Sequence, residues 1–146
     1  MKKILIIEDD KIKIEKLSTF FKDYDFTVEE SFHGGLKTIV SLYQELDFLI
    51  LDMTIPLWDK GSTDLGGNYE QFGGEKILRE MKRRKKEIPT ILVTMFDVFP
   101  MNGENLTFEE LDKHLFKQFE PFYLGAVFYN ASEDSWKTKL EKLISK

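Results

Sequence analysis

Two short aliphatic runs in this chain end abruptly in carboxylates. Ile4-Leu5-Ile6-Ile7 runs into Glu8-Asp9-Asp10, and Phe48-Leu49-Ile50-Leu51 runs into Asp52, with Pro56 close behind. A short apolar run bounded by turn signals has the form of a strand buried on both faces of a parallel sheet. Ligands bind at the carboxyl edge of such sheets, in the crevice formed by strand termini and loops. A further run, Ile91-Leu92-Val93, ends in the hydroxyl of Thr94. Carboxylates sharing one crevice repel one another, so one takes up a proton or a cation sits between them. Magnesium suits the task, because it accepts one or two carboxylates and keeps waters for a phosphate. With Glu8 and Asp9 holding that metal, Asp52 is placed to attack phosphorus and form an aspartyl phosphate, and Thr94 to donate to a phosphoryl oxygen. The plainer alternative for Asp52 is a cap or turn carboxylate at a strand end. The company of Glu8, Asp9 and Thr94 favours the metal pocket.

Positioning these groups requires alternating strands and helices, and the chain carries that pattern. After Asp10, a plausible helix cap, Ile12 or Ile14, Leu17, Phe20 and Phe21 recur at helical spacing. Phe26-Thr27-Val28-Glu29 alternates as a half-exposed strand. His33-Gly34-Gly35 reads as a turn, followed by a helix with Leu36, Ile39, Val40 and Tyr43 inward. Pro56 is expected to stop further ladder pairing after the central strand. A long irregular loop is expected over residues 57–73, then a helix with Ile77, Leu78 and Met81 inward, closing in Lys82-Arg83-Arg84-Lys85-Lys86. Those cations complement the helix dipole. A second loop is expected over residues 95–106, with Pro100, Asn102 and Gly103 as turn formers. Thr107 and Glu110 have capping-box spacing ahead of Phe108, Leu111, Leu115 and Phe119. Ala126-Val127-Phe128-Tyr129 is the fifth strand, and Ser132 is read as the N-cap of a last helix with Trp136, Leu140, Leu143 and Ile144 inward. Five strand and five helix signals in alternation give one doubly wound α/β domain over residues 1–146.

Composition narrows the function. With 146 residues, 42% hydrophobic and 32% charged, the chain can bury a real core without staples. Its cysteine count is zero, which excludes thiol chemistry, disulfides and cysteine-ligated zinc and suits a reducing cytoplasm. The run from Ile4 to Ile7 is too short for a signal-peptide core, and no stretch has the length of a membrane span. A net charge of −5 argues against direct nucleic-acid binding. Two histidines, far apart, give no metal-ligand spacing, and His33 reads as a turn residue.

Taken in order, these motifs resemble the receiver domain of two-component response regulators over essentially the whole chain. Ile4-Leu5-Ile6-Ile7-Glu8-Asp9-Asp10 resembles that family's first strand and acidic pair, and Leu51-Asp52-Met53-Thr54-Ile55-Pro56 its phosphoacceptor segment. Gly74-Glu75-Lys76-Ile77-Leu78, Ile91-Leu92-Val93-Thr94 and Gly125-Ala126-Val127-Phe128-Tyr129 resemble its third helix, fourth strand and fifth strand. The resemblance implies a flavodoxin-like five-stranded parallel sheet in the order 2-1-3-4-5. It also implies Mg2+ held by Glu8, Asp9, Asp52 and the Thr54 backbone carbonyl, with Asp52 as acceptor, Thr94 as switch hydroxyl and Tyr129 as switch aromatic. The implied partners are a histidine kinase or phosphotransfer protein and a downstream protein, in a cytoplasmic monomer or homodimer that is a signalling module, not an enzyme.

The chain departs from this pattern in several places. The family's lysine after the fifth strand has no counterpart: its place, counted from Gly125-Ala126, falls on Ser132. Met95 stands where a small residue usually follows the switch hydroxyl, and both loops beside the site are long. Lys60, in the first long loop, is a candidate replacement for the missing charge. Two readings from different classes therefore stand: an atypical phosphorelay receiver, and a phosphorylation-independent pseudo-receiver that docks other proteins. A magnesium-dependent phosphohydrolase is disfavoured, because no general acid or base lies near Asp52 in the pattern. No effector segment follows Lys146 in this sequence, so output is expected through partners or from a longer protein.

Overall fold

The computed structural model describes residues 1–59, 69–70, 73–101 and 103–145, with the backbone alone at 69, 70 and 101. In chain order the elements are β1 (Lys3–Ile7), α1 (Lys11–Phe20), β2 (Asp25–Glu29), α2 (Phe32–Leu42), β3 (Phe48–Leu51), β4 (Ile55–Pro56) and β5 (Tyr69–Glu70). There follow α3 (Gly73–Arg84), β6 (Thr90–Thr94), β7 (Val98–Met101), β8 (Glu104–Thr107), α4 (Phe108–Phe119), β9 (Tyr123–Phe128) and α5 (Ser135–Ile144). Five strands form one parallel sheet in the order β2-β1-β3-β6-β9. Counting the strands of that sheet alone, the order is 2-1-3-4-5, the flavodoxin-like arrangement expected from the sequence.

Alternation along each strand sends its side chains to opposite faces. Leu5, Ile7, Leu49, Leu51 and Leu92 pack with residues of α2, α3 and α4, while Ile4, Ile6, Ile50, Ile91 and Val93 pack with residues of α1 and α5. Both layers are nearly closed to solvent, and each buried Leu or Ile contributes about 1.5–3 kcal/mol. The two layers together fix the plane of the sheet and bring the ends of β1, β3 and β6 side by side. Among the described residues, no helix is long and apolar enough to cross a membrane.

Several local expectations need correction. Gly34 and Gly35 lie inside α2, whose N-cap is Ser31, its hydroxyl accepting the Gly34 N–H at 3.0 Å. The glycine there sits in close packing, not in a turn: a Cβ on Gly35 would stand 2.5 Å from Ile7 Cδ1, and that side chain would have to shift. Pro56 does not end pairing, because Ile55–Pro56 pairs antiparallel with Tyr69–Glu70 in a separate ladder whose edge tolerates the missing N–H donor. Residues 95–106 are not an irregular loop. They carry the antiparallel hairpin β7-β8, with Gly103 at φ +80° in its turn and Phe99 buried beneath.

The capping box at Thr107 and Glu110 forms as expected. Ser132, in contrast, does not cap α5: its N–H and hydroxyl both donate to Asn130 Oδ1, at 3.0 and 2.9 Å, closing an Asx-type turn. The helix begins three residues later at Ser135. His33, the second residue of α2, stacks on Trp58 with ring centroids 4.1 Å apart, and its N–H donates to the Leu57 carbonyl. These contacts tie the chain beyond β4 to α2. Lys60 and most of the expected loop 57–73 lie outside the described residues, as does Asn102.

Candidate functional site

The ends of β1 and β3 are joined by the hydrogen bond from the Asp52 N–H to the Ile7 carbonyl at 3.2 Å. Glu8 and Asp52 thus emerge as neighbours, and both are buried, at 1% and 4% exposure. Glu8 Oε2 accepts the N–H groups of Asp9 and Asp10, each at 3.1 Å, which turns its side chain into the protein. Asp52 Oδ1 accepts the N–H of Met53 at 2.8 Å.

Between these two carboxylates lies the ammonium of Lys13. Its Nζ stands 2.5 Å from Glu8 Oε1 and 3.4 Å from Asp52 Oδ1, and donates to the Val93 carbonyl at 2.6 Å. The ammonium thus joins two ion pairs and one backbone hydrogen bond. Lys13 is only 1% exposed, whereas its neighbour Ile12 is 64% exposed. The inversion follows from the phase of α1. Asp10 caps the helix by accepting the Ile12 and Lys13 N–H groups, at 3.0 and 3.2 Å, and the inward stripe then runs through Lys13, Leu17 and Phe21. Sequence reasoning missed Lys13 by giving the stripe to Ile12 or Ile14. The available signal was the spacing of Lys13 from Leu17 and Phe21, four and eight residues on.

Burial dominates the electrostatics of the cluster. Desolvation, against the opposing pull of Lys13, pushes the Glu8 carboxyl up to about 7 and raises Asp52 above the usual carboxylate range. For Lys13, desolvation works against the charge, but the Asp52 and Glu8 carboxylates outweigh it and raise its pKa above the ordinary lysine value. Lys13 is therefore charged at neutral pH. A buried ion without partners costs several kcal/mol, so the three groups stand or fall together.

A cleft of roughly 380 Å³ opens over the cluster, lined by Glu8, Asp9, Asp52, Thr54, Met95 and Phe96 among others. Met95 and Phe96 are 40% and 47% exposed there. Thr94 is wholly buried, and its hydroxyl accepts the Phe96 N–H at 3.3 Å. Tyr129 follows β9 and donates its N–H to the Thr94 carbonyl at 2.8 Å. Its ring packs on Trp136 and under Lys13, whose Nζ is 5.8 Å from the ring centroid. Phe128, one residue earlier, faces the other way and meets Phe108 of α4 edge-on. The start of α3 closes the site from below: the Gly74 N–H donates to the Met53 carbonyl at 2.8 Å.

Of the expected metal ligands, Asp9, Asp52 and Thr54 line the cleft together with one edge of Glu8. Glu8 is not free to join a divalent ion as a ligand. Both Glu8 oxygens are already engaged, one by Lys13 and one by two backbone N–H groups. Among the described residues, no group of three or more acidic or histidine side chains is gathered closely enough to hold a metal.

A doubly wound sheet with two buried carboxylates side by side at its carboxyl edge is the fold of receiver domains, and the chain belongs to the response-regulator family. In sequence it is 30% identical, over 98% of both chains, to the Detocs response regulatory protein DtcB of Enterobacter cloacae. It is also 28% identical, over 95% of this chain and 94% of the other, to the uncharacterized protein y4jR of Sinorhizobium fredii. No family profile matches the chain. Among solved structures, the receiver domain of the Francisella response regulator 1452 superposes with a TM-score of 0.64 at 18% identity, covering 99% of this chain and 98% of that one. The CheX-CheY-BeF3-Mg2+ complex from Borrelia burgdorferi gives a TM-score of 0.65 at 15% identity, over 98% and 86%.

Proposed function

We propose that the chain is a phosphorelay receiver in which Asp52 accepts a phosphoryl group from the phosphohistidine of a histidine kinase or phosphotransfer protein. An Asp52 oxygen attacks phosphorus, the P–N bond breaks, the imidazole leaves with the electron pair and takes up a proton from solvent, and an acyl phosphate remains. The observation that carries this reading is the Asp52 carboxylate at the floor of an open cleft, with a buried ammonium 3.4 Å from its Oδ1. That charge favours approach of a phosphoryl group to a cleft lined by several carboxylates. Loss of the carboxylate charge and gain of phosphoryl oxygens would then redistribute contacts around Lys13, Thr94 and the hairpin. A Mg2+-BeF3 group is present in the Borrelia complex. In this chain Asp9, Asp52 and the Thr54 carbonyl would hold such a cation, which would screen the approach of the phosphoryl oxygens to the carboxylates.

The second reading, a phosphorylation-independent docking module, draws on the same ion pairs, which already satisfy Asp52, and on Met95 and Phe96 at the cleft. Incubation with acetyl phosphate followed by intact-mass measurement separates the two. Transfer to Asp52 gives a phosphate-mass adduct that is absent from Asp52→Asn. No adduct in the wild type under any donor or cation condition sinks the phosphorelay reading and leaves the docking module.

A further inference from the structure

Asp52 is approached from two sides by groups of different kinds. Toward the cleft it stands with Asp9 and Thr54. On the protein side it meets the ammonium of Lys13, a side chain that is 1% exposed and lies behind the cleft wall. We infer that Lys13 is the phosphoryl-contacting cation of this pocket, reaching it from α1 and working beside a divalent ion, not in its place. Its move toward the phosphoryl oxygens is felt at Tyr129 and Trp136. The inference rests on the phosphorelay reading and assigns the residue that senses its product.

Three observations carry it. First, the carboxylates are divided between two duties. Glu8 Oε1 pairs with Lys13 and Glu8 Oε2 accepts the Asp9 and Asp10 N–H groups, so Glu8 holds the ammonium in place. Asp9, Asp52 and Thr54 line the cleft, where they offer the oxygen ligands that magnesium takes. Second, among the described residues Lys13 is the one cation in ion-pair range of Asp52. The chain after β9 supplies none there, and Ser132 is spent on Asn130 Oδ1. Third, Asp52 Oδ1 accepts the Met53 N–H and faces Lys13 at 3.4 Å, so Oδ2 is the oxygen that attacks phosphorus. In the acyl phosphate the negative charge leaves the carboxylate and collects on phosphoryl oxygens close to Oδ1. The flexible four-carbon stem of a lysine lets its ammonium follow, with Glu8 as the partner it keeps. Its Nζ lies 5.8 Å from the Tyr129 ring centroid, near the outer limit of a cation–π contact, so a small displacement alters that contact. Tyr129 in turn packs on Trp136 with ring centroids 5.2 Å apart, and its hydroxyl has no hydrogen-bond partner among the described residues to anchor the ring.

The test compares Glu8→Gln, which keeps Lys13 beside Asp52, with Lys13→Met/Glu8→Gln, which removes both charges of the buried pair and leaves no Glu8 carboxylate unpaired. Two quantities are measured for each: the Mg2+ dissociation constant by calorimetry, and the rate of the acetyl phosphate adduct at saturating Mg2+. The double variant is expected to bind Mg2+ at least as tightly, because a nearby like charge is gone. It is expected to form the adduct about a hundredfold more slowly, the scale of losing one oriented charge at a reacting group. Equal rates, or a rate loss matched by an equal loss of Mg2+ affinity, overturn the inference. A second measurement keeps Lys13 in place. In Trp58→Phe, Trp136 is the sole tryptophan, and adding beryllofluoride to the Mg2+-bound protein is expected to change its emission. The change should vanish in Asp52→Asn and in Tyr129→Leu. No change in Trp58→Phe, or a change that survives Tyr129→Leu undiminished, overturns the inference. If wild type forms no adduct, the phosphorelay reading fails, and the beryllofluoride titration alone decides whether Lys13 senses a phosphoryl-shaped ligand. It decides likewise if the double variant does not fold.

Discussion

Gly74 presses against the backbone of Asp52 so closely that a Cβ there would stand 2.5 Å from the Asp52 carbonyl oxygen and 2.9 Å from Met53 Cα. The start of α3 is thereby docked onto the Asp52–Met53 backbone, with the Gly74 N–H donating to the Met53 carbonyl. Gly74→Ala forces backbone against backbone, and neither atom is the free end of a flexible side chain. A loss of about 1–3 kcal/mol in urea unfolding is expected, despite the better helix propensity of alanine. The same substitution should slow adduct formation at Asp52, because the carboxylate moves with its own backbone. Unchanged stability and reactivity would mean that α3 slides freely on this segment.

Glu8 makes stability depend on pH in an unusual direction for a carboxylate. Its pKa rises on folding from the ordinary 4.5 to about 7, chiefly by desolvation, and Asp52 shifts the same way. Between those values the folded state holds a proton that the unfolded chain has released, so stability falls as pH rises. The Glu8 contribution is complete below about 4.5 and is lost as pH passes about 7, a swing of roughly 3 kcal/mol. Denaturation from pH 4.5 to 8 should show this decline, with a shallower slope in Glu8→Gln. Identical slopes in the two proteins would reject Glu8 as the titrating group.

Tyr129 buries its hydroxyl with no hydrogen-bond partner among the described residues. An unsatisfied buried polar group costs about 1–3 kcal/mol. Tyr129→Phe keeps the ring beneath Lys13 and against Trp136 while removing that cost. The variant should be as stable as wild type or more so, by up to about 1 kcal/mol. A clear loss in Tm would show that the hydroxyl has a partner in solution.

Thr107 ends β8 and caps α4 at once, its hydroxyl accepting the Glu110 N–H at 3.1 Å while Glu110 Oε1 accepts the Thr107 N–H at 2.9 Å. Thr107→Ala should cost about 1 kcal/mol of stability and raise amide exchange in the first turn of α4. Exchange unchanged there would place the stabilisation of that turn in the hairpin contacts instead.

The sheet and its faces were legible because each strand is a short apolar run ending in a polar group, and a parallel sheet leaves such runs little choice of placement. Glu8 and Asp52 were legible for the same reason, being the first polar residues after those runs. The hairpin over residues 98–107 was not, because Pro100 and Gly103 mark a turn without saying whether strands flank it. Gly35 misled because glycine reports both turns and close contacts, and only the position of Ile7 tells them apart. Lys13 was hidden by its chemistry: periodicity assigns lysine outward, and its inward turn depends on a charge pair contributed from two other segments.

The capping of α1 by Asp10 has a consequence for how this pocket can change over time. Acid pair, helix cap and cation all fall within Glu8 to Lys13, so Asp52 is the one member of the charge cluster contributed from elsewhere among the described residues. Among the described residues, the chain after β9 makes no ion pair with Asp52. There, residues 130–134 form a side-chain-closed turn, free to be remodelled for whatever surface a partner requires while the chemistry at the sheet edge stays intact.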